Sequence, residues 1–250
     1  VGLPRVADDV ARLRAVRHAV GDAFEIMVDA NQCFTLSEAL RRAAAYADLG
    51  IAWFEEPLPA DDLIGHARLA ASTPVPIAVG ESLYSPSQFA AYIQQGACSV
   101  VQVDVARIGG ITPWLKVAHL AECHNLMVAP HFLMELHVSL TAAAPAASWV
   151  EYIPQLDSIA SSRMAIEDGH AIVPDSPGLG IEWLWPEIER RAVLEERQRI
   201  TRDMHDGIGG QLLSMLLKAR SGTLSTDQMQ VDLADSLNDL RLMSAALDGS

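Results

Sequence analysis

Six segments of the chain each run from an apolar stretch into a single acidic or imidazole side chain. They are IMVDAN with Asp29, AWFEEP with Glu55, IAVGES with Glu81, VVQVDV with Asp104, LMVAPH with His131, and WVEY with Glu151. Short runs rich in Val and Ile, apolar at consecutive positions, are the pattern of strands covered on both faces, and a helical stretch follows them. The repeat of roughly 25–30 residues is the length of one strand–helix unit in an eight-stranded parallel barrel of about 250 residues. Every strand of such a barrel ends on the same face, so polar groups remote in sequence meet there. Six strands of this kind leave the cylinder two short. The expected fold is α/β, an incomplete TIM-type (β/α) barrel lacking the first two strands, followed by an α-helical hairpin.

Punctuation along the chain supports this order. Val10, Leu13 and Val16 recur at helical spacing, and Gly21-Asp22 ends that helix. A helix from Leu36 to about Leu49 stops at Gly50, and Asp168-Gly169 reads as the turn of a short hairpin. Near Glu189 to Leu194 the alternation of apolar runs gives way to ERQRITRDMHDGIGGQLLSMLLKAR. The charge changes there as well. Through Glu189 there are 10 Lys and Arg against 23 Asp and Glu, and from Arg190 onward 8 against 9. Two segments are expected, 1–190 and 191–250.

The formal net charge of −14 argues against a general nucleic-acid partner, which needs a basic surface. No apolar run approaches the roughly 18 residues of a membrane span, and LTAAAPAASWV is broken by Pro145. VGLPRVADDV has no cationic start or apolar signal core, and the absence of an initial Met suggests that residues precede Val1. Cys33, Cys98 and Cys123 are odd in number and lack CxxC spacing, as expected of free thiols in a cytoplasmic protein.

A single Asp or Glu after a strand is ordinarily a helix cap or turn former. Three in successive units, with Asp, His and Glu completing the series, point instead to a shared site. VDAN, WFEEP, GES, QVDVARIGGIT and APH, in this order and spacing, resemble the mandelate racemase and muconate lactonizing branch of the enolase superfamily from Val1 to about Glu189. The resemblance implies that Asp29, Glu55 and Glu81 hold a catalytic Mg²⁺ at one centre. It implies that Asp104 and His131 form an Asp–His dyad, and that Glu151 is the acid at the end of the last strand. The family's Lys-x-Lys motif would fall directly before Val1; with it, the first strand and the capping domain would precede the chain.

That set of groups suits one chemistry. Removing a proton beside a carboxylate builds a dianionic ene-diolate, whose charge a divalent cation offsets, and hard Mg²⁺ prefers oxygen ligands. Sites of this superfamily pair a Lys or His base with Mg²⁺. The implied reaction is proton abstraction from a small carboxylate, a sugar acid or hydroxy acid, in a dehydratase or racemase. With the lysine absent, turnover is expected to be weak or lost. Glu56 is expected to support the site or to form an ion pair, and Arg107 to have a structural role. His18, His66, His119, His124 and His170 are expected at the surface or in packing, and HFLMELH lacks the HExxH spacing of a metal motif.

The second segment has its own resemblance. From Leu194 to Leu247, ERQRITRDMHDGIG is similar to the phosphoacceptor helix of histidine kinases of the nitrate-sensor type. It implies phosphorylation of His205, with Asp206 as the neighbouring acid, and an ATP-binding domain beyond Ser250. Gly210 stands where that family often has Gln. Leu194, Ile200, Met204, Ile208 and Leu212 to Leu217 make one apolar stripe; Leu233, Leu237, Leu240 and Leu247 make another. Two such hairpins bury their stripes by forming a four-helix homodimer. The alternatives to an enzyme are therefore a dimerising phosphoacceptor module or an inactive chimeric fragment.

Overall fold

The computed structural model describes residues 1–221, 225, 228 and 230–238, the side chains of 200, 201, 203–212 and 219 excepted. It divides into two compact units, Val1–Glu182 and Trp183–Ser250.

The first unit is built on five parallel strands in sequential order: β1 (Ile26–Asp29), β2 (Ile51–Glu55), β3 (Ile77–Val79), β4 (Val100–Val101) and β5 (Met127–Val128). Helices α1 (Val6–Val20), α2 (Leu36–Ala47), α3 (Leu63–Ala70), α4 (Pro86–Gln94), α5 (Ile111–Cys123) and α6 (Met134–Ala143) alternate with them. The continuous apolar runs follow from burial on both faces. Phe54, Ile77, Val79 and Val101 pack with Ala39, Ala43, Phe89, Trp114 and Val117 of the helices. Trp53, Ala78, Val100 and Ala129 form a separate layer with Met27.

Helix starts follow side-chain chemistry. Thr35 Oγ1 accepts from the Glu38 amide, and Asp62 Oδ1 accepts from the Gly65 amide at 2.8 Å. Ser85 Oγ accepts from the Gln88 amide, with Pro86 opening α4. Gly80 marks a close approach. Its φ is +152°, and a methyl group there would lie 2.6 Å from the Gln102 carbonyl carbon.

The sheet among the described residues has five strands, not six. The WVEY segment contributes no strand; the chain before it meets β5 through one bridge, Val128 with Ala147. Val128 donates to Ala146 O at 2.8 Å and Ser148 donates to Val128 O at 3.3 Å. The next rung would require an N–H from position 130, and Pro130 has none. The barrel is thus incomplete. After a 3₁₀ turn, the hairpin β6 (Ile166–Glu167) and β7 (His170–Ala171) closes on Asp168 and Gly169, at φ +48° and +79°. Positive φ at both central residues is what a two-residue hairpin turn requires.

The second unit contains α7 (Trp185–Arg220), which continues unbroken through 189–194, where the composition changes. Residues 230–238 are also helical. His205 and Asp206 fall within α7, but their side chains lie outside the described residues, as do Leu240 and Leu247. No helix among the described residues is long and apolar enough to cross a membrane.

Candidate active site

Parallel pairing brings the polar groups together. Asp29 and Glu55 are register partners at the ends of β1 and β2. Val79, Val101 and Val128 pair in turn across β3, β4 and β5, so Glu81, Asp104 and His131 follow at the same edge.

The tightest pairing is between Asp104 and His131. His131 Nδ1 donates to Asp104 Oδ2 at 2.9 Å. Asp104 Oδ1 accepts from the Ala106 and Arg107 amides at 2.7 and 3.1 Å, which fixes the carboxylate. Burial opposes the charged form of Asp104, but the bond from His131 and the two amides hold its carboxyl below the usual range. Burial likewise works against an imidazolium at His131. The hydrogen bond to Asp104 and the charges of Glu81 and Glu151 outweigh it, and the pKa is raised.

Glu55 is the most perturbed carboxylate of the group. Burial pushes its pKa up to about 7, against hydrogen bonds from Gln102 and Trp53, with the Asp29 and Glu151 charges adding to the rise. Its side-chain partners are neutral: Trp53 Nε1 donates at 3.1 Å. Glu55 and Glu151 line a cavity of about 180 Å³ with Trp53, Gln102 and Trp149. A larger cavity of about 290 Å³ lies by α6 and the β6–β7 hairpin, and none of the strand-end carboxylates lines it.

Asp29 and Glu55 end adjacent strands, while Glu81 is engaged by its neighbours on the other side. Glu81 Oε2 lies 3.2 Å from His131 Nε2, and Arg107 Nη1 donates to Glu81 Oε1 at 3.3 Å. Among the described residues, no group of three His, Cys, Asp or Glu side chains is arranged to hold a metal ion. Contacts with His131 and Arg107 hold Glu81 toward β4 and β5. Even so, the donor set suits Mg²⁺: carboxylate oxygens at neighbouring strand ends, one of them crowded by like charge with neutral partners. Holding an ion requires Glu81 to exchange its contacts with His131 and Arg107.

The remaining expectations divide. Glu151 Oε2 accepts from the Phe132 amide at 2.6 Å, so it braces the loop that carries His131. Glu56 is buried and accepts from Gln32 Nε2 rather than forming an ion pair. Arg107 lies between Glu81 and Asp104, its Nε 3.8 Å from Asp104 Oδ2. His66 is buried, while His18, His119, His124 and His170 are exposed. Cys33, Cys98 and Cys123 are free thiols.

His137 was not anticipated. Its Nε2 accepts from the Val105 amide at 3.0 Å and its Nδ1 donates to Phe132 O at 2.9 Å. It therefore joins the residues that follow Asp104 and His131. Nothing in HFLMELH signals this, because one of its two partners is a backbone group 32 residues away.

The incomplete parallel barrel, with its Asp–His pair and strand-end carboxylates, matches a known family. Residues 1–187 match the family described as Enolase C-terminal domain-like, and the chain belongs to that family. Residues 196–248 match a histidine kinase family, so the enolase-type domain is fused to a histidine-kinase segment.

The chain is 43% identical over 180 residues to an L-talarate/galactarate dehydratase of Salmonella typhimurium, covering 72% of this chain and 45% of that protein. It is 37% identical over 194 residues to a 3,6-anhydro-alpha-L-galactonate cycloisomerase of Streptomyces coelicolor, covering 77% and 54%. It also resembles the crystal structure of an L-talarate dehydratase from a Polaromonas species complexed with Mg and L-glucarate. That match has a TM-score of 0.71 at 46% identity and covers 73% of this chain and 51% of the other. The chain thus spans about half the length of the curated relatives it matches.

Proposed function

We propose that the first unit carries out Mg²⁺-dependent removal of a proton from the carbon beside the carboxylate of a sugar acid or hydroxy acid. The observation that carries this reading is the Asp104–His131 pair among the carboxylates that end the strands. With Nδ1–H committed to Asp104, His131 presents Nε2 toward the strand ends and can take or return a proton there. Asp29, Glu55 and Glu81 would hold the ion. Bound Mg²⁺ supplies Lewis-acid stabilisation of negative charge on a substrate carboxylate. Trp53 and Trp149, ring centroids 6.4 Å apart, wall the cavity beside Glu55. Relatives that include a sugar-acid dehydratase support the substrate class, and the crystal structure holding Mg and L-glucarate supports the ion.

The test is exchange of the α-proton of sugar acids in deuterated water with Mg²⁺, followed by NMR. Exchange that disappears in His131→Asn supports the reading. Exchange unaffected by that substitution, or none in the wild-type chain, contradicts it.

For residues 196–248 we propose a dimerising phosphoacceptor hairpin, supported by the histidine kinase match. In the reaction, a nitrogen of His205 bonds to the γ-phosphorus of ATP as the bond to ADP breaks, and Asp206 accepts or orients the imidazole proton. Leu213, Leu216, Leu217 and Leu237 are half exposed, an apolar surface suited to a second copy. Incubation with ATP and a separate kinase ATP-binding domain should label His205 and leave His205→Gln unlabelled. Absence of label from both contradicts the reading.

A further inference from the structure

Gln32 lies one turn beyond Asp29 and bonds beside the other two strand-end carboxylates as well. Its Nε2 donates to Glu56 Oε2 at 2.9 Å and to Ser82 Oγ at 2.8 Å. Its Oε1 accepts from the Ala60 amide at 2.8 Å. The backbone N–H of Ala60 can only donate, so the amide orientation is settled by its partner, and both N–H hydrogens are committed. Glu56 adjoins Glu55, and Ser82 adjoins Glu81. One side chain therefore ties together the loops after β1, β2 and β3.

The backbone is shaped around this contact. Asn31 and Gln32 have φ of +43° and +62°, and Glu56 has φ of +35°. Left-handed conformations at non-glycine residues cost free energy and persist where surrounding contacts enforce them. Gln32 N donates to Glu56 O at 2.7 Å, so the two left-handed loops are bonded by main chain and side chain alike. Glu56 is only 2% exposed, and hydrogen bonds from Ser82 and the Gln32 amide let its carboxyl lie there.

We infer that Gln32 is a positioning residue that sets the spacing of Asp29, Glu55 and Glu81 for a divalent cation. The inference rests on the proposed Mg²⁺ role of those carboxylates. Gln32 does not touch the ion; it fixes the loops from which the ligands project. Partners behind the ligands commonly control metal affinity by about 10–100-fold.

The experiment is calorimetric titration of the 250-residue chain with Mg²⁺ alone, in wild type, Gln32→Met, Ser82→Ala and Val117→Ala. Gln32→Met keeps the side-chain length and removes all three hydrogen bonds. Val117→Ala, in the outer core on α5, is a control for lost stability. The expected result is a dissociation constant raised about 10–100-fold in Gln32→Met, raised several-fold in Ser82→Ala, and unchanged in Val117→Ala. Wild-type affinity in Gln32→Met overturns the inference while leaving the carboxylate reading intact. Should that variant not fold, unchanged affinity in Ser82→Ala overturns it. No Mg²⁺ uptake by wild type overturns the carboxylate reading and the inference with it.

Discussion

Nδ1 of His131 donates to Oδ2 of Asp104 across 2.9 Å, from the end of one strand to the end of the next. The bond selects the tautomer that leaves Nε2 for proton transfer, and the Ala106 and Arg107 amides prevent Asp104 from turning away. Asp104→Asn preserves shape but presents either an amide N–H or a neutral oxygen. General-base contributions of this type are worth about 10²–10⁴-fold. The α-proton exchange rate should fall by about that factor, with Mg²⁺ affinity little changed. Equal rates in Asp104→Asn and wild type would remove Asp104 from the mechanism.

Two buried histidines set a pH limit on stability. Burial lowers the pKa of His66, and burial likewise lowers that of His137, against the hydrogen bond to Phe132 and the Asp104 charge. Both therefore titrate below the ordinary value of 6.5 in the folded chain. The unfolded chain binds more protons as pH falls from there, so the stability they contribute is present above pH 6.5 and lost as pH falls through the folded-state pKa. For His137 the cause is visible, because protonating Nε2 destroys its bond from Val105. Lowering the pH from about 7 to 5.5 should reduce the urea midpoint of wild type relative to that of His66→Leu, because the raised pKa of Glu55 acts over the same range in both proteins. Equal slopes in the two proteins would contradict the assignment.

Much of the fold was legible because strand burial on two faces leaves an unmistakable signature in consecutive apolar residues. IMVD, IAWFE and IAV became β1, β2 and β3, and Asp168-Gly169 became a hairpin turn. WVEY carries the same apolar signal, yet the ladder fails at Pro130, a residue of the neighbouring segment. Local patterns do not report on a partner's missing N–H. The site was legible as a set of strand ends but not as an arrangement of side chains. Glu81 turns toward His131 and Arg107, contacts that depend on three separate loops. Gln32 and His137 were invisible for the same reason: many of their partners are backbone or side-chain groups tens of residues away.

Gly80 offers a test of how tightly β3 and β4 approach. A Cβ there would meet the Gln102 backbone at 2.6 to 2.8 Å, and backbone has little freedom to yield. Gly80→Ala should cost roughly 1–3 kcal/mol through overpacking and left-handed strain. A urea midpoint equal to wild type would show that the approach relaxes.

The central proposal is that Asp29, Glu55 and Glu81 take up a divalent ion beside His131. Mg²⁺ titration of wild type against Glu55→Gln tests it most directly, because Glu55 is the carboxylate with only neutral partners and crowding charges. One ion should bind per wild-type chain, and that binding should be lost in Glu55→Gln. Equal binding in the two proteins, or none in wild type, would contradict it.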